Sequence, residues 1–274
     1  MSIIIEASSH QSTGESDKSV IRKTRILRVP VGLIDMEHAV DTITAWASSN
    51  VANYVCVRDV HGIMLAQKDS ELLSIHERAG LVTPDGMPLV WLGRLRGSNV
   101  RRVCGVDLVD ALCERSAKEG LRHFFYGGKP GVAERMASAL QIRYPRLAVA
   151  GSFSPPFGKL SKEADDKIVE KIASVRPQIV WVGLSTPKQE FWMRDHVGRI
   201  PGATLIGVGA AFDFHAGVVR RAPQWMQSNG LEWLHRLITE PRRLWQRYLI
   251  IAPKFILFAL YEQMTGNYTS TGRS

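Results

Sequence analysis

From Arg25 onward, short apolar runs alternate with stretches of helical period, and this alternation constrains the fold more than any other feature of the chain. Asn53–Val57, Leu121–Tyr126, Leu147–Ala150, Gln178–Leu184 and Ala203–Val208 read as strands. Several are apolar at both alternating positions, as strands covered by helices on both faces must be. Between them, Asp107–Lys118 puts Leu108, Val109, Leu112 and Cys113 on one stripe. Residues 130–144 begin with Pro130 in a first-turn position and repeat Val132, Met136, Ala139 and Leu140. Residues 161–175 offer a Ser161 cap, early acids and a late Lys171, in keeping with the helix dipole. Strands and helices in this order predict βαβ units and an α/β fold. Its sheet is mainly parallel and Rossmann-like, with helices on both faces.

The 274 residues allow one large domain or two small ones. With 45% hydrophobic and 22% charged residues the composition excludes a disordered chain, a collagen and a multi-span membrane protein. Cys56, Cys104 and Cys113 are too few and too scattered for a disulfide framework, which fits a reducing cytosol. Residues 1–28, polar and without a signal-peptide pattern, read as a flexible tail. Residues 29–219 read as the α/β domain, and residues 220–274 as a C-terminal helical appendage. The net charge is +9, and +5 of it falls in residues 220–274. Such a basic end suits a polyanion. Arg236, Arg242, Arg243, Arg247 and Lys254 interleave there with Trp233, Leu234, Leu237, Trp245, Tyr248 and Phe255. That mixture suits a helix lying in an anionic membrane interface. A C-terminal helix packed on the core with a solvated face explains it equally well. The apolar run at residues 248–260 contains Pro253 and Lys254 and is shorter than the roughly 20 residues a spanning helix needs. All the strands assigned lie before Ala216, so the core is expected to stand without the appendage.

Four strand-to-helix loops carry groups able to do chemistry, and each also has a plain structural reading. Loops at the C-terminal ends of parallel strands line the ligand crevice of such sheets. Asp85 in Thr83-Pro84-Asp85-Gly86 is placed to take a proton from an attacking hydroxyl; a Pro-Asp-Gly turn with Asp85 capping the next helix explains the same residues. Gly127 and Gly128, in Tyr126-Gly127-Gly128-Lys129-Pro130-Gly131, could let backbone amides approach a phosphate, or serve only a tight turn. Gln189 follows a Ser185-Thr186-Pro187 start and offers both a donor and an acceptor, although capping accounts for much of that motif. Asp213 could bind a sugar hydroxyl or anchor its loop.

There is no D-x-D pair to hold a divalent metal on a diphosphate. Glu232 and His235 stand three residues apart without a second ligand pair, and read as surface or packing groups. A nicotinamide-dependent oxidoreductase would share the sheet type but needs G-x-G-x-x-G after its first strand, and this is missing. A nucleic-acid-binding protein would use the basic end, but the aliphatics in residues 249–251 and 255–260 suit lipid better, so no nucleic-acid partner is expected.

In order and spacing over about residues 30–250, the motifs resemble the WecG/TagA/CpsF family, glycosyltransferase family 26. They are Thr83-Pro84-Asp85-Gly86, Gly105-Val106-Asp107-Leu108, the Tyr126–Gly131 turn, Pro187-Lys188-Gln189-Glu190, the stretch from Gly207 to Asp213, Arg221-Ala222-Pro223, and Glu232-Trp233 followed by Arg236, Glu240-Pro241-Arg242-Arg243 and Arg247-Tyr248. The resemblance implies a bacterial enzyme of cell-surface or exopolysaccharide synthesis. It would move a sugar, of N-acetylmannosamine type or a uronic acid, from a UDP-sugar to a polyprenyl-diphosphate-linked glycan. Inversion at the anomeric carbon, no metal and no cofactor are implied, with a cytoplasmic protein peripheral on the inner face of the membrane. Homo-oligomers are compatible with it. Asp85 matches the family's proposed base and Gln189 an active-site glutamine. Arg236, Arg242, Arg243 and Arg247 match arginines that complete the pocket. Arg102 and the Gly127-Gly128 turn are the candidates for diphosphate contact. One departure stands out: the family commonly has Thr-x-Asn where this chain has Val57-Arg58-Asp59. Asp59 is therefore expected to read a different donor hydroxyl or to share acid–base work with Asp85.

Overall fold

The computed structural model describes residues 21–158, 160–266 and 270–271. Most of the tail assigned to residues 1–28 lies outside these residues. Its last part does not behave as a tail. Lys23–Ile26 (β1) and Val29–Gly32 (β2) form an antiparallel hairpin, joined by Leu27 and Arg28 at positive φ. Ile26 is fully buried, which fixes the hairpin against the core.

The chain then runs through Met36–Ser48 (α1), Asn53–Arg58 (β3), Val60–Ala66 (α2), Ser70–Arg78 (α3), Leu81–Pro84 (β4), Met87–Leu95 (α4) and Gly105–Glu119 (α5). The second half follows with Arg122–Gly127 (β5), Val132–Arg143 (α6), Ala148–Phe153 (β6), Lys162–Ser174 (α7), Ile179–Gly183 (β7), Lys188–His196 (α8), Thr204–Gly207 (β8) and Ala211–His215 (α9). Strands β3 to β8 make one parallel sheet in the order β4-β3-β8-β7-β5-β6. The five strands read from the apolar runs all appear in it. Helix α6 starts two residues later than its proline suggested, because Gly131 adopts the left-handed conformation just ahead of it.

Period-two alternation divides the interior into two cores. Tyr54, Cys56, Val180, Val182 and Leu205 face one side of the sheet with α2, α3, α7 and α8. Val55, Val57, Ile179, Trp181 and Ile206 face the other with α1, α5, α6 and α9. A strand buried on both faces has no polar side to show, which is why these segments read as continuous apolar runs.

The segment read as a helical appendage is not one continuous helix. The chain instead folds as Gln224–Ser228 (α10), Glu232–Thr239 (α11), Pro241–Trp245 (α12), a π-helical turn at Gln246–Ile251, and Ala252–Thr265 (α13). Pro241 has no N–H to donate and forces its predecessor out of helical geometry, so Glu240 sits at φ −128°, ψ 51° and the helix breaks there. The core does not end before this segment. Phe255 and Ala259 of α13 are buried in the first core. Glu262 accepts from Arg96 at 2.7 Å and from the Leu27 amide at 3.1 Å. Ser270–Thr271 (β9) pairs with β1. The C-terminal segment thus adds side chains to the first core and a strand to the β1–β2 hairpin.

Candidate active site

The C-terminal ends of β3, β4, β5, β7 and β8 open onto one cavity of about 1030 Å³, with α11, α12 and the π-helical turn along its other side. Its lining includes Asp59, Asp85, Gly128, Gln189, Asp213, Arg236, Arg243 and Arg247, so the structure brings most of the sequence candidates together. Arg102 and Gly127 lie just behind the wall, and Arg242 is exposed outside it.

Asp85 follows β4. Its amide donates to the Arg58 carbonyl at 2.8 Å, which holds the loop against the end of β3. The capping reading of Asp85 does not hold, since Gly86 is the N-cap of α4 and no side chain caps that helix. The carboxylate instead meets Arg102. That guanidinium donates to the Asp85 carbonyl at 2.6 Å and to Oδ1 at 3.2 Å. Closely packed walls desolvate Asp85 although 29% of its side chain still faces the cavity. Burial therefore carries its carboxyl above the usual carboxylate range, against the pull of Arg102. Raised in this way, a carboxylate is a better proton acceptor near neutral pH.

Asp59 has a different task at each oxygen. It is the N-cap of α2 and accepts from the Gly62 amide at 3.0 Å, while Oδ2 pairs with Arg247. Both oxygens of Asp59 are thus engaged, one by the helix and one by the C-terminal segment. Arg58, beside it, turns inward. It forms an ion pair with Glu190, both side chains at most 1% exposed, and donates to Thr186 Oγ1 at 3.2 Å. This pair joins the end of β3 to α8 beneath the cavity floor. Neither Ser185 nor Thr186 caps α8, whose N-cap is Pro187 after a cis peptide bond.

Gln189 is 2% exposed and its Oε1 has no hydrogen-bond partner. Gly207 and Gly209 make room for it: a Cβ on Gly207 would stand 3.0 Å from its amide nitrogen, and one on Gly209 3.3 Å from its oxygen. A buried acceptor without a partner on a cavity wall is suited to a ligand hydroxyl or N–H. The Nε of Arg236 is likewise buried and unpartnered, with its guanidinium over the Phe214 ring. Asp213 stands in the first turn of α9 on the same wall.

The glycine turn has a structural reason of its own. Gly127 lies at φ 134°, and a Cβ there would come within 2.6 Å of the Gly183 backbone. The Gly128 amide already donates to the Gly183 carbonyl at 3.0 Å. These residues let β5 and β7 close together, and the Gly128 amide is taken up by that contact. Arg102 also departs from its expected part, being committed to Asp85 and, at 3.0 Å, to Glu232.

Glu232, read from the sequence as a surface or packing group, is 8% exposed and accepts from both Arg102 and Arg221. No local signal marks it, because Arg102 lies 130 residues away in the chain. The same holds for the column of rings formed by Tyr126, Trp192 and His196 at one end of the cavity, with centroids 4.4 Å and 4.2 Å apart. Among the described residues no group of three His, Cys, Asp or Glu side chains is arranged to hold a metal ion.

Residues 24–269 match the family described as "Glycosyl transferase WecG/TagA/CpsF family". A Bacillus subtilis (strain 168) protein named N-acetylglucosaminyldiphosphoundecaprenol N-acetyl-beta-D-mannosaminyltransferase is 34% identical over 200 residues, covering 72% of this chain and 75% of the relative. A match over nearly all the described residues, on a fold whose cavity gathers the motif residues, identifies the chain as a glycosyltransferase of the WecG/TagA/CpsF family.

Proposed function

We propose that the protein transfers a sugar from a UDP-sugar to a hydroxyl of a polyprenyl-diphosphate-linked glycan, by single displacement with inversion and without a metal. The observation that carries this reading is Asp85. It is an uncapped carboxylate, raised by burial, facing a cavity bounded by arginines of the C-terminal segment. Asp85 takes the proton from the acceptor hydroxyl as it attacks the anomeric carbon. Negative charge then grows on the departing diphosphate, and Arg236, Arg243 and Arg247 stabilise it. Gln189 offers its unpartnered Oε1 to a hydroxyl of the donor or to an N–H of its uracil ring. Asp59 and Asp85 each face an arginine, Arg247 and Arg102, in place of a cation. The name of the Bacillus subtilis relative makes N-acetylmannosamine the first donor to try, on a polyprenyl-diphosphate-linked N-acetylglucosamine.

The membrane reading is supported by α13 more than by the arginines. Opposite its buried Phe255 and Ala259, this helix presents Ile256, Leu257, Leu260, Tyr261 and Met264, each at least half exposed, with no charged residue among them. An apolar stripe of this kind on a basic segment suits shallow insertion into an anionic surface. No described helix is long and apolar enough to cross a membrane.

The test is UDP release from a panel of UDP-sugars with a polyprenyl-diphosphate-linked acceptor, with and without EDTA. One donor supporting turnover, an EDTA-insensitive rate and a product of inverted anomeric configuration are expected. Turnover only with added divalent metal, or a retained configuration, overturns the mechanism.

A further inference from the structure

We propose that Glu232, supplied by the C-terminal segment, is a positioning residue for the base: by holding Arg102 it sets how much of that cation Asp85 feels. The inference rests on the reading of Asp85 as the base. One guanidinium serves two carboxylates here. Arg102 reaches Asp85 Oδ1 at 3.2 Å and Glu232 Oε2 at 3.0 Å, and its Nε is fixed by the Asp85 carbonyl at 2.6 Å. Glu232 is itself held from the other side. Its Oε1 accepts from Arg221 at 3.2 Å, and Arg221 grips Asp107 through both terminal nitrogens. Asp107 in turn accepts from the Cys104 thiol at 2.9 Å. The chain of partners thus runs from α5 through Arg221 and Glu232 to the base.

The groups facing Asp85 are Arg102, Cys104, Glu232 and Arg236, and Asp59 with its Arg247 lies beyond Gly86. Burial raises Asp85 most; Arg102 opposes that, and Glu232 adds to it. Were Glu232 absent, Arg102 would act on Asp85 alone and weaken it as a base. Glu232 stands in the first turn of α11, and Arg236, one turn later, reaches the cavity wall. Seating this one helix therefore delivers a cation for the leaving group and strengthens the base together. A segment that only completed the pocket would supply the first without the second.

The experiment titrates Asp85 directly, by carbon NMR of protein labelled at aspartate carboxyls and assigned with Asp85→Asn, alongside the pH profile of kcat/KM. In Glu232→Gln the midpoint of Asp85 should fall by about one pH unit. The acid limb of kcat/KM should move with it, and the plateau should drop several-fold. Glu232→Asp, which keeps the charge, should restore most of both. Arg221→Gln supplies a second variant with the opposite sign: Glu232, released on one side, draws Arg102 further, and the midpoint rises. An unmoved midpoint in folded Glu232→Gln, or in Arg221→Gln if the first variant does not fold, overturns the proposal and leaves Glu232 a tether. A midpoint that moves while the acid limb stays put supports the coupling and instead overturns Asp85 as the base.

Discussion

Arg247 of the C-terminal segment pairs with Asp59 at the end of β3, so a residue near one end of the chain closes on the first strand of the parallel sheet. Asp59 also caps α2, and the two tasks use different oxygens. Asp59→Asn should keep the cap, because an amide oxygen accepts the Gly62 amide equally well, but lose the charge that seats Arg247. Transfer should fall about tenfold, a coupling of roughly 1.4 kcal/mol within the range for contacting pairs. Adding Arg247→Gln to Asp59→Asn should cost little more. Kinetics of the two single variants and the double variant check this, and strictly additive losses would show that the residues act apart.

Asp85→Asn should reduce transfer by about 10³-fold while UDP binding stays within a few-fold, as expected for loss of a general base. It should also stabilise the fold at neutral pH. The folded-state pKa of Asp85 is raised, so its protonated form favours the native state. That contribution is fully present below the ordinary carboxylate pKa and lost as pH rises through the raised value. Thermal melts across pH should therefore show the variant ahead near neutrality and the two proteins converging in acid. A variant less stable than its parent at neutral pH would contradict this.

The Arg58–Glu190 pair is a structural debt of the site. Removing one partner leaves a buried charge alone, and Glu190→Ala should cost about 3–5 kcal/mol in urea denaturation. Replacing both, as Arg58→Met with Glu190→Leu, should recover most of that, since two apolar groups leave no uncompensated charge. A double variant as unstable as the single would locate the cost in packing instead.

Flotation with vesicles of anionic lipid checks the part given to α13. Leu257→Ser with Leu260→Ser should weaken binding at least tenfold while leaving the melting temperature nearly unchanged, because both side chains are more than half exposed. Binding of the parent protein should weaken as salt screens the basic residues nearby. Equal binding by parent and variant would move the contact off this helix.

The layered fold was legible in the chain because strands such as Ile179–Gly183 are apolar at every position facing a helical layer, and a local period needs no distant partner to be read. The loops that bear Asp85, Gln189 and Asp213 could be placed for the same reason, since each follows such a strand. What those loops do depends on groups far away in the chain. Asp85 is both an acceptor for Arg102 and a raised carboxylate only because walls from several elements close around it. Gly127 and Gly128 looked fit for a phosphate, but the approach of β7 decides their conformation. Glu232 carries no local mark, and its place is set by Arg102 and Arg221, which lie 130 and 11 residues away in the chain. Periodicity is a property of neighbours along the chain and so is written in the sequence. Charge, burial and hydrogen bonding at the site are sums over groups that only the tertiary structure brings within reach.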